Sequence, residues 1–452
     1  MKYPHLYFFL FIAGLFLLII SPNFLSDGMF LDGLMYSTIA KNMAEGLGTF
    51  WNPLFTRTIS PEFHGHPPLA MGIQSIFYTL FGESRYVEKI YSFLTFVVTA
   101  CILLKIWKTL NLKNGWSILL LWFTVPVVMW ACPNNLLENT MMIFTTLSVY
   151  FYVKGEKNGR LYFLLLAGLS LSLGFLTKGF VAFFPWTLPF IDWLFLQRKT
   201  FVKMLINSVL LVSSTLLPLL LLVVISPEAR WSLQQYLDQQ IVWSFQNVAT
   251  VDSRFFIIKR VFLDLLPALV LSGGMLLYYK LTSRRVDKWM GERVDWRLGL
   301  AFLTLALTGV VPIMISMKQS LFYTLPAFPI FAIAFAIFIN PVVNLLHDRL
   351  KISIIFKVLA CVLFVAGIGS TFYFSNKIGR DEARLKTVYA VGGVIPKNQT
   401  IGISPDLHTD WSLHGYFFRY FNISLDWNQE NTYEYRLVPD WDGGYEFENV
   451  SN

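Results

Sequence analysis

Residues 6–25, LYFFLFIAGLFLLIISPNFL, run without a single charge. A helix of that length rises about 30 Å, the thickness of the hydrocarbon core of a bilayer. Lipid offers no partner for backbone N–H and C=O groups, so such a run has to be helical. The stretch follows Lys2 and has no small-residue cleavage site, so it reads as a retained span rather than a signal peptide.

Further apolar runs lie near 90–108, 116–132, 136–153, 161–177, 180–196, 204–225, 256–279, 298–315, 321–340 and 354–375, about eleven spans in all. The 452-residue chain is 55% hydrophobic and only 14% charged, where a soluble domain carries roughly 25% charged residues. The expected fold class is an all-α polytopic membrane protein followed by a small C-terminal α/β domain. Its expected boundaries are a membrane domain over 1–375, with external loops 26–88 and 226–260, and a small external domain over 376–452.

The net charge of +8 does not imply nucleic acid, because of where the charges fall. Basic residues cluster at Lys105/Lys108/Lys113, Lys154/Lys157/Arg160, Arg198/Lys199/Lys203, Arg284/Arg285/Lys288/Arg293/Arg297 and Arg349/Lys351/Lys357. These are alternate loops, as expected of cytoplasmic segments. With Lys2 inside, an odd number of spans puts the acidic tail outside. Cys101, Cys132 and Cys361 sit in or beside spans with no metal-ligand spacing and read as apolar packers.

In the first long loop, Leu34, Met35, Ile39 and Met43 have helical spacing, ended by Gly46 and Gly48. Pro67 and Pro68 open a second apolar stretch, Leu69 to Phe81. It is too short to span and suits an interfacial helix, with Phe50, Trp51 and Phe55 as an aromatic belt. The second loop holds Trp231, Tyr236, Trp243 and Phe245. In the tail, 381–390 and 416–421 read as helices, and 400–403, 425–427 and 433–437 as strands.

Ionisable residues collect at the outer boundary. Asp32 could take a proton from an attacking hydroxyl, or simply cap a helix. His66, held by Pro67 and Pro68, could bond a phosphate or join His64 on a metal. Glu138 sits in a short turn between spans, where a carboxylate is costly unless paired or functional. Lys178, Lys318, Arg254, Lys259 and Arg260 run against the topology bias, and cations gathered there could neutralise a lipid phosphate. A transporter or flippase would instead keep ionisable groups at mid-membrane and often show repeated halves. Here Asp192 and Asp264 lie towards span ends and no repeat is found.

The ordered set Asp32-Gly-Leu-Met-Tyr36-Ser-Thr-Ile39-Ala40, His66-Pro67-Pro68-Leu69, Phe81-Gly82, Glu138, Leu176-Thr-Lys-Gly179 and Lys318 before Tyr323-Thr-Leu-Pro326-Ala-Phe-Pro329 resembles the GT-C membrane glycosyltransferases. The likeness is to their protein-mannosyltransferase and aminoarabinose-transferase branch. It implies inverting transfer of a sugar from a polyprenyl-phosphate (undecaprenyl-phosphate) donor to a lipid, envelope glycan or protein acceptor, on the outer face of a bacterial inner membrane. It further implies Asp32 and Glu138 as catalytic residues. His66, Lys178, Lys318, Arg254 and Arg260 would hold the donor phosphate, and Tyr36, His64 and Tyr323 would bind substrate. Two positions depart from the family pattern: Gly33 replaces an acid, and Gly65-His66 replaces Glu-Lys. The second removes a carboxylate able to hold metal, so no metal ligand is expected, and a divalent cation is the only cofactor the resemblance would bring.

Overall fold

The computed structural model describes residues 5–243, 248–283, 294–439 and 445–449. Phe245 and the basic residues Arg284, Arg285, Lys288 and Arg293 lie outside the described residues. The chain opens with α1 (Leu6–Phe24), then α2 (Leu31–Ala44) and α3 (Leu69–Phe81) in the first long loop, and returns through α4 (Tyr86–Thr109). Next come α5 (Trp116–Phe123), α6 (Pro126–Ala131), α7 (Leu137–Asn158), α8 (Leu161–Lys178) and the short α9 (Leu188–Ile191). The membrane part ends with α10 (Phe201–Ile225), α11 (Pro227–Tyr236), α12 (Phe256–Ser283), α13 (Trp296–Thr308), α14 (Phe328–Leu350) and α15 (Ile354–Phe374).

Among the described residues, eight helices are long and apolar enough to cross a membrane, or nine if the pair α5 and α6, bent by 83°, is one span. About eleven were expected. The two that fall short of that measure are α7 and residues 180–196, although both run from one end of the bundle to the other. α7 has 22 residues, about 33 Å of helix, but its first turns carry Glu138, Asn139 and Thr140. Asn139 donates to Ser92 Oγ and the Ala131 carbonyl, both at 2.9 Å, and Thr140 bonds Tyr91. The second segment, with Pro185 and Pro189, divides into a 3-10 stretch, α9 and a π turn at Asp192–Leu196. The bend before α6 arises at Pro126. It frees the Val127 N–H, which donates to Asp264 Oδ2 at 3.0 Å, so the break leaves this donor satisfied inside the bundle.

α1 and α15 pack side by side in the same direction, with the Ser21 and Ser370 hydroxyls 2.7 Å apart. One end of the bundle is marked by the His5–His347 ring stack, the Asn114–Asn344 bond and the Lys157–Asn111 bond. The other carries Asp27, whose N–H donates to the Lys377 carbonyl and whose carbonyl accepts from Gly379.

The C-terminal unit is a four-stranded sheet in the order β2-β1-β3-β4, with α16 (Glu382–Gly392) and α17 (Trp411–Phe421). β1 (Thr400–Gly402) is parallel to β2 (Ser424–Asp426) and β3 (Tyr435–Pro439), and β3 is antiparallel to β4 (Tyr445–Asn449). α17 begins five residues earlier than expected, at Trp411, capped by Asp410, whose side chain accepts from the Leu413 N–H. β4 was not read from the sequence.

This unit is not independent of the membrane part. Met29 and Leu34 complete its hydrophobic core. Asp27 accepts hydrogen bonds from Tyr389, Tyr420 at 2.6 Å, the Gly28 N–H at 2.7 Å and Arg85 at 3.1 Å. Burial raises the Asp27 pKa, but these donors together bring it below the ordinary value. Arg419, 1% exposed, pairs with Glu88 at 2.9 Å and donates to the Glu83 and Ser84 carbonyls. α2 is thereby gripped between the C-terminal unit and the bundle.

Candidate active site

The turn between α6 and α7 sets the position of α2. After the 3-10 stretch Cys132–Asn134, Asn135 takes a left-handed conformation, with φ 48°. Asn134 Oδ1 accepts the Phe30 N–H at 2.8 Å, and Asn135 Nδ2 donates to the Gly33 carbonyl at 3.3 Å. A Cβ on Gly33 would lie 1.8 Å from the Asn134 carbonyl oxygen. The glycine that departs from the family pattern is therefore what lets α2 approach this turn. Lys89 ties the same corner together by donating to the Asn23, Gly28 and Pro133 carbonyls.

With that corner closed, Asp32 and Glu138 each sit in the first turn of a helix, where the dipole favours a carboxylate. Lys178, the last residue of α8, reaches Glu138 Oε1 at 2.5 Å; their side chains are 6% and 0% exposed. Three rings surround the Lys178 ammonium: Phe322 and Tyr323 at 5.2 Å and Tyr36 at 5.9 Å. Burial raises the Asp32 pKa, and the fields of Lys178 and Lys318 oppose it. Tyr36 is buried near Asp32, Glu138 and Tyr323, and its phenol stays protonated, its pKa pushed well up by burial and then by the carboxylates.

His66 lies 5.9 Å from the Tyr36 ring. Burial, followed by Lys178 and Lys318, holds its imidazole well below the usual histidine range. At neutral pH it is uncharged, so it can offer a hydrogen bond but not a positive charge. Lys318 donates to Gln240 Oε1 at 2.8 Å, with its pKa lowered by burial and by Lys178 against the pull of Asp32. One end of the bundle thus brings together Asp32, Tyr36, His66, Glu138, Lys178, Lys318 and Tyr323.

Residues 65–231 match the sequence profile of the dolichyl-phosphate-mannose-protein mannosyltransferase family. ArnT from Cupriavidus metallidurans bound to undecaprenyl phosphate is 14% identical, with a TM-score of 0.63 over 92% of this chain and 85% of that one. Its apo state gives 0.62 at 13% identity, over 92% and 84%. The chain has the GT-C fold. The apo oligosaccharyltransferase of Archaeoglobus fulgidus gives 0.54 at 13% identity, covering 94% of this chain and 64% of that chain. No curated protein matches the sequence significantly.

Within this GT-C fold three expected residues have neighbours outside the cluster. His64 bonds Ser232 Oγ at 3.1 Å and packs edge-on against Trp231, which makes it a support for α11. Arg254 is exposed and donates to the Ile315 carbonyl at 3.0 Å. Arg260 is exposed on α12, one turn before Asp264.

One neighbour, Gln240, was not named from the sequence, and a second, Tyr236, was named only as one of the aromatic residues of the outer loop. Gln240 holds Lys318, and Tyr236 approaches the Lys178 carbonyl, with its ring 6.5 Å from His66. Gly179, at φ +89°, leaves the space Tyr236 fills, since a Cβ there would meet the phenol oxygen at 1.9 Å. The glycine of the Leu-Thr-Lys-Gly junction was the available signal.

The cluster does not fit a divalent cation. Lys178 already occupies Glu138, a second ammonium faces Asp32, and among the described residues no three His, Cys, Asp or Glu side chains stand together.

Proposed function

We propose that the protein transfers a sugar from a polyprenyl-phosphate donor to an acceptor, with inversion, at the end of the bundle that holds Asp32 and Lys178. The observation that carries this reading is a buried cation, Lys178, held by Glu138 and ringed by aromatic side chains, with a second cation, Lys318, and the Asp32 carboxylate beside it. Such a donor is a phosphodiester with one negative charge. As the acceptor oxygen bonds to the anomeric carbon, the carbon–phosphate-oxygen bond breaks and its electron pair stays on the phosphate. The leaving polyprenyl phosphate gains charge, and Lys178 and Lys318 are placed to receive it.

Asp32 accepts the proton of a hydroxyl acceptor; burial makes it a stronger base than an exposed aspartate. For a phosphate acceptor, already ionised, it orients the nucleophile instead. Glu138 is closed off by Lys178, so its role is to position that ammonium rather than to touch the acceptor. Neutral His66 supplies a hydrogen bond to the phosphate. Tyr36 and Tyr323 line the sugar site.

The fold match to ArnT, whose structure holds undecaprenyl phosphate, supports this donor class. In a bacterial inner membrane the Asp32 end would face the periplasm, with the N-terminus cytoplasmic and residues 376–452 as a small periplasmic domain docked on 1–375. The acceptor is a lipid, envelope glycan or protein. The test is a transfer assay with the purified full chain and a panel of polyprenyl-phosphate sugars. Sugar should leave at least one donor in a Lys178-dependent manner. Failure to turn over every donor, or turnover that Lys178→Met leaves unchanged, would overturn the reading.

A further inference from the structure

A second pocket, of about 410 Å³, lies at the opposite end of the bundle, between α7, α10, α13 and the π turn at Asp192–Leu196. Glu156 on its wall is eighteen residues beyond Glu138 on α7, about 27 Å along the helix. It is therefore separate from the transfer site. Its floor is a buried network. Lys199, 5% exposed, pairs with Glu156 at 2.5 Å and Asp192 at 3.4 Å. The Tyr152 hydroxyl donates to Asp192 and accepts from Lys199.

Above that floor Arg198 and Lys203 stand at the exposed rim. Among the described residues, neither side chain has an ion-pair or hydrogen-bond partner. The third rim cation, Lys157, donates to the Thr109 carbonyl and Asn111. Asp295 is occupied in capping α13 through the Leu298 N–H at 3.0 Å. The lining holds four cations (Lys157, Arg198, Lys199, Lys203) and three carboxylates (Glu156, Asp192, Asp295), a net charge of +1. The remaining wall is apolar: Leu298, Phe302 and Leu305 form its buried depth, and Leu110, Leu112, Val153 and Leu196 are its partly exposed part.

We propose that this pocket binds the headgroup of an anionic phospholipid from the leaflet opposite the transfer site. A phosphodiester carries one negative charge, which the net +1 lining matches, and Arg198 and Lys203 are positioned to reach it from the rim. The glycerol and upper acyl chains lie against Leu110, Leu112, Val153 and Leu196, which a free phosphate would leave uncovered. Basic pockets between transmembrane helices hold lipid headgroups by this combination of charge and apolar contact. The lipid would brace α7 against α10 and α13 and so support the helix that carries Glu138 at its other end.

The test uses the delipidated full chain in detergent, with retained lipid read by native mass spectrometry. Phosphatidylglycerol and phosphatidylcholine with identical chains, glycerol phosphate and inorganic phosphate serve as probes. Phosphatidylglycerol should be retained selectively, and the double variant Arg198→Gln/Lys203→Gln should weaken it about 30-fold, at roughly fivefold per basic residue. Both positions are exposed, so folding is not at risk. Equal retention of the two lipids would overturn the proposal, as would wild-type retention by the variant. Two further results would do the same: binding of glycerol phosphate or inorganic phosphate as tightly as the lipid, or an equal loss in Arg349→Gln/Lys351→Gln, which alters basic residues outside the pocket. None of these readouts depends on transfer activity, so failure here leaves the proposed reaction standing.

Discussion

Replacing Lys178 by Met keeps most of the side-chain volume and removes the charge opposite Glu138. The pair is 2.5 Å apart with side chains 6% and 0% exposed, and among the described residues Glu138 Oε2 has no hydrogen-bond partner. The carboxylate would therefore be left buried and unpaired. Breaking a buried pair by removing one partner costs about 3–5 kcal/mol, whereas replacing both can be close to neutral. Lys178→Met should accordingly lower stability sharply, and Lys178→Met/Glu138→Gln should recover most of the loss. Activity should behave differently. If Lys178 neutralises the leaving phosphate, its loss lowers turnover about 100- to 1000-fold, and the second substitution cannot restore it. The assay is denaturant or thermal unfolding in detergent beside single-turnover transfer, for both single variants and the double. Additive stability losses would refute the buried-pair argument. A double variant that regains wild-type turnover would refute the role of Lys178.

Asp32→Asn should cut transfer to a hydroxyl acceptor by about 100- to 10,000-fold while raising stability at neutral pH. Burial raises the folded-state pKa of Asp32, so the folded protein holds its proton more tightly than the unfolded chain. The ionised group thus costs stability once the pH exceeds the ordinary aspartate value near 3.8. The wild-type rate should fall on the acid side with an inflection above that value, and the Asn variant should lose that inflection. Gly33→Ala should displace α2 from the Asn134 turn, because the added Cβ would meet a carbonyl oxygen at 1.8 Å. A cost of about 1–3 kcal/mol, with loss of kcat, is expected in unfolding and rate measurements. The pKa of Asp27 is lowered in the fold, so its stabilisation is present above about pH 4 and lost as the pH falls through the folded value. Limited proteolysis of the C-terminal unit should accelerate below about pH 4, and Asp27→Asn should show the faster cleavage already at pH 7.

The polytopic helical class was legible because lipid forces apolar runs into helices, which leaves composition few alternatives. Span counting was less secure. α7 hides its polar turns against α4 and the α6 corner, and a hydropathy reading cannot see that partnership. Most members of the candidate cluster were named from the sequence, because charged residues at a membrane boundary are rare and each stood out. His64, Arg254 and Arg260 looked equally conspicuous, yet Ser232 and the Ile315 carbonyl engage two of them and the third lies beside Asp264. Gln240 was passed over because amide residues are common in such loops, and Tyr236 was named only as one aromatic residue among several.

What the order of residues alone determined was the chemistry available: a helical membrane body, carboxylates at Asp32 and Glu138, and cations at Lys178 and Lys318. Only the tertiary structure decided which of them act on one another. Gly33, Asn134 and Asn135 bring α2 against the start of α7, and the C-terminal unit holds it there through Asp27 and Arg419. Electrostatic coupling falls with distance and rises with burial, and both quantities come from packing between segments far apart in sequence.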